Sequence, residues 1–208
     1  EQGNCVALQE DGKIVVAGYA YDGAKYNFAM ARYESTGNLD TNFNATGTVT
    51  TAIGGGTDLG YGLAIQQDGK IVVVGIAFNG TNDDFALARY KSNGSLDTNF
   101  NTTGKLMTDF GFGNDRALSV AIQPNGKIVV GGAAYNGTNT EMAVARYNTD
   151  GTPDTNFNGT GKRVVVFNND SDCRDVALQQ DGKIVAAGRA KSGSRYDFVV
   201  VRLQGDTP

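Results

Sequence analysis

The stretch "ALQEDGKIVVAG" (Ala7 to Gly18) returns as "AIQQDGKIVVVG" (Ala64 to Gly75), "AIQPNGKIVVGG" (Ala121 to Gly132) and "ALQQDGKIVAAG" (Ala177 to Gly188), at spacings of 57, 57 and 56 residues. A second string, "FAMARY" (Phe28 to Tyr33), recurs as "FALARY" (Phe85 to Tyr90), "MAVARY" (Met142 to Tyr147) and "FVVVRL" (Phe198 to Leu203). A third, "DTNFNATG" (Asp40 to Gly47), recurs at Asp97 to Gly104 and Asp154 to Gly161. Self-similarity at a fixed long period is the signature of a repeat architecture. The chain reads as one repeat domain of four units, 1–57, 58–114, 115–171 and 172–208, the last ending before its copy of the third string.

Each unit reads as strands joined by turns. In unit one, "VALQ" and "KIVVAGYA" flank an Asp-Gly pair, the strongest short-range hairpin signal because it supplies positive-φ residues at low cost. "NFAMARY" makes a third strand, and "TVTTAI" after the third string a fourth. The second strand is apolar on both faces, Ile14 and Val16 on one and Val15 and Ala17 on the other, so it must be covered twice. Twenty-nine glycines against three prolines fit a chain that reverses direction often. The expected fold is all-β: four propeller-like blades of four antiparallel strands, stacked face to face, the last blade incomplete.

The consensus carried by these strings resembles the delta-60 repeat family, bacterial repeats assigned to β-propellers in large secreted or surface proteins. The resemblance covers essentially the whole chain in four in-register copies. It implies an architecture and a bacterial, extracellular or cell-surface setting, and it carries over no catalytic residue. Because the chain opens at Glu1 in mid-pattern, it is expected to be an excerpt of a longer protein.

A net charge of −4 with scattered lysines and arginines offers no stripe for a phosphate backbone, so nucleic acid is not an expected partner. No apolar run approaches the roughly 20 residues of a membrane span, and no membrane insertion is expected. Histidine is absent, which removes the usual general base and the histidine-based metal sites. No cofactor is expected.

The third string superficially resembles a calcium loop, with oxygen-bearing residues at its first, third and fifth positions. Its sixth position is Ala45, Thr102 or Gly159 and its twelfth Thr51, Thr108 or Val165, so the sharp turn and the carboxylate clamp of an EF-hand are not signalled. Asp40, Asp97 and Asp154 are therefore read as structural turn formers, with Phe43, Phe100 and Phe157 plugging the space beside each blade, and no metal is expected. Arg32, Arg89, Arg146 and Arg202 recur in every unit and are expected to pair with these aspartates or with carbonyls, since a part-buried guanidinium must be neutralised.

The less uniform positions are acidic. Asp58, Asp115 and Asp172 precede the first strands of units two to four, and Asp84, Glu141 and Asp197 precede third strands, with Asn27 in that place in unit one. Alternating strand direction puts both sets at one end, a candidate acidic rim for cations or basic partners. Two cysteines, Cys5 and Cys173, form a candidate disulfide only if units one and four are neighbours, as in a closed four-blade ring; in a larger ring they lie too far apart. The expected function is a non-enzymatic binding or adhesion scaffold, its partner a protein or glycan, its specificity in the loops "YDGAKYN", "FNGTNDD", "YNGTNTE" and "KSGSRYD". The alternative is a carbohydrate-active hydrolase using rim carboxylates.

Overall fold

The computed structural model describes residues 1–205, which hold fifteen strands and no helix. Blade one comprises β1 (Gln2–Leu8), β2 (Ile14–Tyr21), β3 (Tyr26–Tyr33) and β4 (Thr48–Thr51). Blade two comprises β5 (Asp58–Ile65), β6 (Ile71–Phe78), β7 (Asp83–Tyr90) and β8 (Lys105–Thr108). Blade three comprises β9 (Arg116–Ile122), β10 (Ile128–Tyr135), β11 (Thr140–Tyr147) and β12 (Lys162–Val165), and blade four β13 (Ser171–Leu178), β14 (Ile184–Ser192) and β15 (Arg195–Leu203). Each sheet is an antiparallel meander in chain order. The first strands of successive blades pack on one another and form the inner edge of the stack.

The first hairpin differs from the sequence expectation in its turn. Gln9 N donates to Lys13 O at 2.8 Å and Gly12 N to Gln9 O at 2.9 Å. Only Gly12 takes positive φ (83°), Asp11 instead accepting the Lys13 amide through Oδ1 at 3.1 Å. The reversal is therefore a turn closed by a left-handed glycine, a three-residue loop rather than a two-residue one.

A second feature lies opposite this hairpin. Every first strand carries a bulge, between Gly3 and Cys5, Gly60 and Gly62, Ala117 and Ser119, and Cys173 and Asp175. Across from it stands a glycine of the second strand: a Cβ at Gly75 would lie 1.9 Å from Leu59 O, and Gly18, Gly132 and Gly188 meet the equivalent carbonyl. The bulge brings one carbonyl too close to the neighbouring strand for any side chain, which is why "KIVVAG" and its copies end in glycine.

Blades two and three show why their second strands are apolar throughout. Ile71 and Val73 enter the core shared with blade one, whereas Val72 and Val74 enter the core shared with blade three. Ile128 and Val130 likewise face blade two while Val129 faces blade four. Among the described residues three cores thus join blade one to two, two to three and three to four, and none joins four to one. The candidate disulfide does not form: both thiols are free, Cys5 hydrogen-bonding Ala17 O and Cys173 Asp175 O. Burial pushes the two thiols up to about 11 and about 12, which keeps them protonated and unreactive. On blade one, Ile14 and Val16 face away from the neighbouring blade and are only half-buried, a departure from the expected double coverage.

The third string is the joint between blades. Asp40 Oδ1 accepts the amide of Asn42 at 3.1 Å, an Asx turn, while Oδ2 takes Arg32 Nε at 2.7 Å and Lys13 Nζ at 2.8 Å. Asp97 and Asp154 repeat the Asx turn and the arginine pair, with Arg89 at 2.9 Å and Arg146 at 2.7 Å; Lys127 joins Asp154 at 3.0 Å, whereas Lys70 pairs with Asp68 instead. Each guanidinium lies over the ring of its loop, Arg32 on Phe43, Arg89 on Phe100 and Arg146 on Phe157, at 4.6, 4.6 and 5.0 Å. The loop then reaches forward: Asn44 N donates to Asn93 O at 2.7 Å, Arg32 Nη1 to Ser92 O, and the Phe43 ring packs on Gly94. Asn101 N to Asp150 O and Arg89 Nη1 to Thr149 O repeat the reach from blade two to blade three.

The missing sixth-position glycine does not prevent the sharp turn, because Ala45 and Thr102 adopt φ of 60° and 59°. A left-handed β-branched residue is strained by about 1 kcal/mol or more, and the joint holds it there. Arg202 is exposed, and the aspartate position one repeat beyond Asp154 falls after residue 208.

The joint has an acid limit. Lys13, with the Asn42 amide and Arg32, holds the Asp40 carboxyl well below the usual carboxylate range. A depressed folded-state value contributes stability above the unfolded-state value of about 3.9, and that contribution is lost as pH falls through the folded value. Asp40→Asn should lower the urea midpoint at pH 7, and the gap to the parent should close below about pH 4. An equal gap at pH 7 and pH 3 would show that Asp40 acts through packing alone.

Candidate functional site

The end of the stack opposite the Gly-Lys hairpins is formed by the loops between second and third strands and by the segments entering each first strand. Three of those loops are built on one side chain. Asp22 Oδ1 accepts the amides of Ala24 and Lys25, Asn79 Oδ1 those of Thr81 and Asn82, and Asn136 Oδ1 those of Thr138 and Asn139. The tips between are largely exposed; blades two and three share Asn-Gly-Thr-Asn, whereas blade one has Asp-Gly-Ala-Lys.

The acidic rim sits beneath these tips, and most of it is not a surface. Asp58 and Asp115 are fully buried at the start of their first strands. Asp58 accepts Ile53 N at 2.7 Å and Gly54 N at 3.1 Å, fastening the connection from blade one. Asp115 accepts Phe110 N at 2.7 Å and Tyr135 N at 3.1 Å. Glu141, also fully buried, accepts Phe167 N at 3.1 Å and Ser171 Oγ at 3.0 Å. Their shared work is to hold the chain where it crosses between blades, because a connection buried there needs acceptors for its amides.

Asp172 does not occupy the place the repeat assigned it. Pairing of Ser171 with Ala190, and of Cys173 with Gly188, makes Ser171 the counterpart of Asp58 and Asp115. The connection from β12 to β13 is one residue shorter than its counterparts, Ser171 following Asp115 by 56 residues where Asp115 follows Asp58 by 57, and a one-residue slip in a strand turns a side chain to the opposite face. Asp172 instead receives both Arg174, at 2.8 Å, and Arg189, at 3.1 Å. Asp197, at the start of the third strand of blade four, is exposed.

What the structure does gather is Asp84, Asp109 and Asp115, whose carboxylate oxygens lie within 4.8 Å of one another at the junction of blades two and three. Asp84 is 3 % exposed; Asn79 Nδ2 donates to its Oδ2 at 2.8 Å, and its Oδ1 has no donor among the described residues. Burial, and then the neighbouring Asp84 and Asp109 charges, push Asp115 up to about 6 against its two amide donors. Asp84 is raised too, by burial and by Asp109 and Asp83. Asp109 was invisible in the repeat because Ala52 and Val166 stand at its counterparts. Oxygen donors of this kind suit a hard cation.

A family model described as "Domain of unknown function (DUF5122) beta-propeller" matches residues 9–43, 66–100, 123–157 and 179–206, more than half of the chain. No curated protein matches it. Among solved structures, the chain is similar to a mannose phosphorylase from Leishmania mexicana, at 12 % identity and TM-score 0.48 over 94 % of this chain and 65 % of that one. It is also similar to a putative glycoside hydrolase from Bacteroides ovatus, at 14 % and 0.45 over 99 % and 69 %. A GH43_12 protein retrieved from a capybara gut metagenome is similar at 10 % and 0.46, over 97 % of this chain and 40 % of that one. At these identities the likeness concerns strand arrangement and says nothing about activity.

Proposed function

Because the chain belongs to the DUF5122 beta-propeller family, a family of unknown function, we propose from its geometry that it is a non-enzymatic binding scaffold. It presents a protein- or glycan-binding surface made of the loops between second and third strands, outside the cell or at its surface as the delta-60 resemblance implies. The observation that carries this reading is a contrast within each blade. The joints at Asp40 and Asp97 repeat the same arginine pair, phenylalanine contact and Asx turn, whereas the loops at 22–25 (Asp-Gly-Ala-Lys) and 193–194 (Gly-Ser) depart from the Asn-Gly-Thr-Asn tip that 79–82 and 136–139 share, and the residue after the tip changes from Tyr26 to Asp83 to Thr140. A rigid frame with variable tips is how a β scaffold displays specificity. The alternative, a hydrolase working through Asp58 and Asp115, would draw on two carboxylates that are buried and already accept backbone amides.

The test replaces residues 23–25, 80–82 and 137–139 with Gly-Ser sequences, keeping Asp22, Asn79 and Asn136 as turn formers; the tip of blade four, Gly193-Ser194, already has that sequence. Wild-type protein should bind a glycan array or intact cells, and the loop variant, folded by circular dichroism, should lose that binding at least tenfold. Binding retained by the variant would remove the loops from the account. Turnover of a polysaccharide by the wild type in a hydrolase screen would replace the scaffold by an enzyme.

A further inference from the structure

We propose that Asp84, Asp109 and Asp115 form a calcium site at the junction of blades two and three. A calcium ion lies 2.3–2.6 Å from its oxygen ligands, so two oxygens on one ion stand no more than about 5 Å apart. The three carboxylates meet that requirement, with oxygens within 4.8 Å of one another. The second observation is the Asp84 side chain. It is 3 % exposed, and among the described residues Oδ1 has no donor while Asn79 serves Oδ2. A buried carboxylate oxygen without a donor costs free energy unless a cation supplies what the protein does not.

The other junctions show what compensation looks like. Between blades one and two the equivalent positions are Asn27, Ala52 and Asp58, a single carboxylate; Asn27 Oδ1 also lacks a donor among the described residues but belongs to a neutral amide, and Lys25 donates to Gly54 O beside Asp58 at 2.9 Å. Between blades three and four they are Glu141, Val166 and Ser171, again a single carboxylate, and the serine donates to it. The middle junction has three carboxylates, with Asp83 adjoining, and Asn82 where blade one has Lys25. Lys162 reaches the same region, but its ammonium donates to Asp109 O at 2.8 Å and sits over the Phe110 ring. The excess negative charge is therefore local to one junction, and a ligand site that breaks the repeat is distinguishable from an element that builds it.

The occupant is calcium rather than a softer metal because every donor is an oxygen and the described cluster contains neither histidine nor cysteine. The site stands apart from the loops of the third string, where each aspartate is already committed to an arginine and an amide.

Isothermal titration of the chelator-treated chain with calcium chloride tests the site. One ion per chain is expected, with an affinity on the order of that of extracellular modules, about 10⁻⁴ to 10⁻³ M. Saturating calcium should raise the melting temperature by several degrees, since a ligand bound only by the folded state stabilises it. Asp84→Asn and Asp109→Ala each install the residue that blade one carries at that position, so the fold should tolerate both. Each should weaken calcium binding at least tenfold, with the calcium-free melting temperature nearly unchanged. Absence of heat and of any thermal shift up to 10 mM calcium in the wild type would overturn the proposal. Unaltered binding in both variants would overturn it equally. So would a stoichiometry of three that falls on Asp40→Asn, which would place the ions in the third-string loops.

Discussion

Arg89→Met should unfold at a much lower urea concentration than the parent, a loss of about 3–5 kcal/mol, because it removes one partner of a buried ion pair and leaves the other charged. Arg89 is 5 % exposed and Asp97 1 %, and the methionine chain fills much of the arginine stem's volume. What disappears is the bond to Asp97 Oδ2 at 2.9 Å, the contact over Phe100 at 4.6 Å and the donation to Thr149 O in the next blade. Adding Asp97→Asn should recover a substantial part of the loss, since the amide keeps the Asn99 turn and no longer carries an unpaired charge. The control is Arg202→Met, at the same repeat position but exposed, which should stay within about 0.5 kcal/mol. Urea melts followed by circular dichroism read all three. A large loss at Arg202, or none at Arg89, would show that the joint does not act through its buried pair.

Gly75→Ala should be the most damaging methyl group that can be added to blade two. The new Cβ would stand 1.9 Å from Leu59 O, a backbone atom held by the β5–β6 ladder, so one strand must move off the other. Overpacking of a flexible side chain costs about 1–3 kcal/mol, and a clash with backbone belongs at or above the top of that range, about 3 kcal/mol or more. Gly55→Ala supplies the contrast. No atom lies within 4 Å of its added Cβ and its φ is not positive, so its midpoint should match the parent within about 0.5 kcal/mol. Equal midpoints for the two variants would mean that the bulge relaxes far more easily than its geometry suggests.

The four blades were legible because repetition multiplies a weak signal. One "DGKIVVAG" is a hairpin hint, whereas four in register fix strand order, strand number and the two-faced burial of Val72 and Val73. The partnering of Arg32 with Asp40 was legible for the same reason. The forward reach of the third string was not, because Asn44 meets Asn93 across 49 residues, and nothing in either residue type announces the other. The bulges were hidden too. They are a property of two paired strands, and the glycine that answers each one reads alone as an ordinary strand end. The rim misled in a different way, since its acidic residues suggested a surface, whereas amides left unpaired at the blade crossings draw Asp58, Asp115 and Glu141 inside. The Asp84–Asp109–Asp115 cluster needed the fold, because Asp109 has no acidic counterpart in any other unit; the slip that puts Ser171 in the place of Asp172 was hinted at by the 56-residue last spacing and located by the strand register.

The forward reach of the first two joints also gives the array a direction in time. A ribosome adds about 5–20 residues per second, so the next unit follows its predecessor by roughly 3–11 s. During that interval Asn44 faces no Asn93, Phe43 no Gly94 and Arg32 no Ser92 carbonyl. Blades one and two are each left unfastened at this joint until the next blade arrives to secure them. Proteases and chaperones acting during synthesis would therefore meet a vulnerable segment about one repeat long that travels with the growing end, while the older part of the array is already closed behind it.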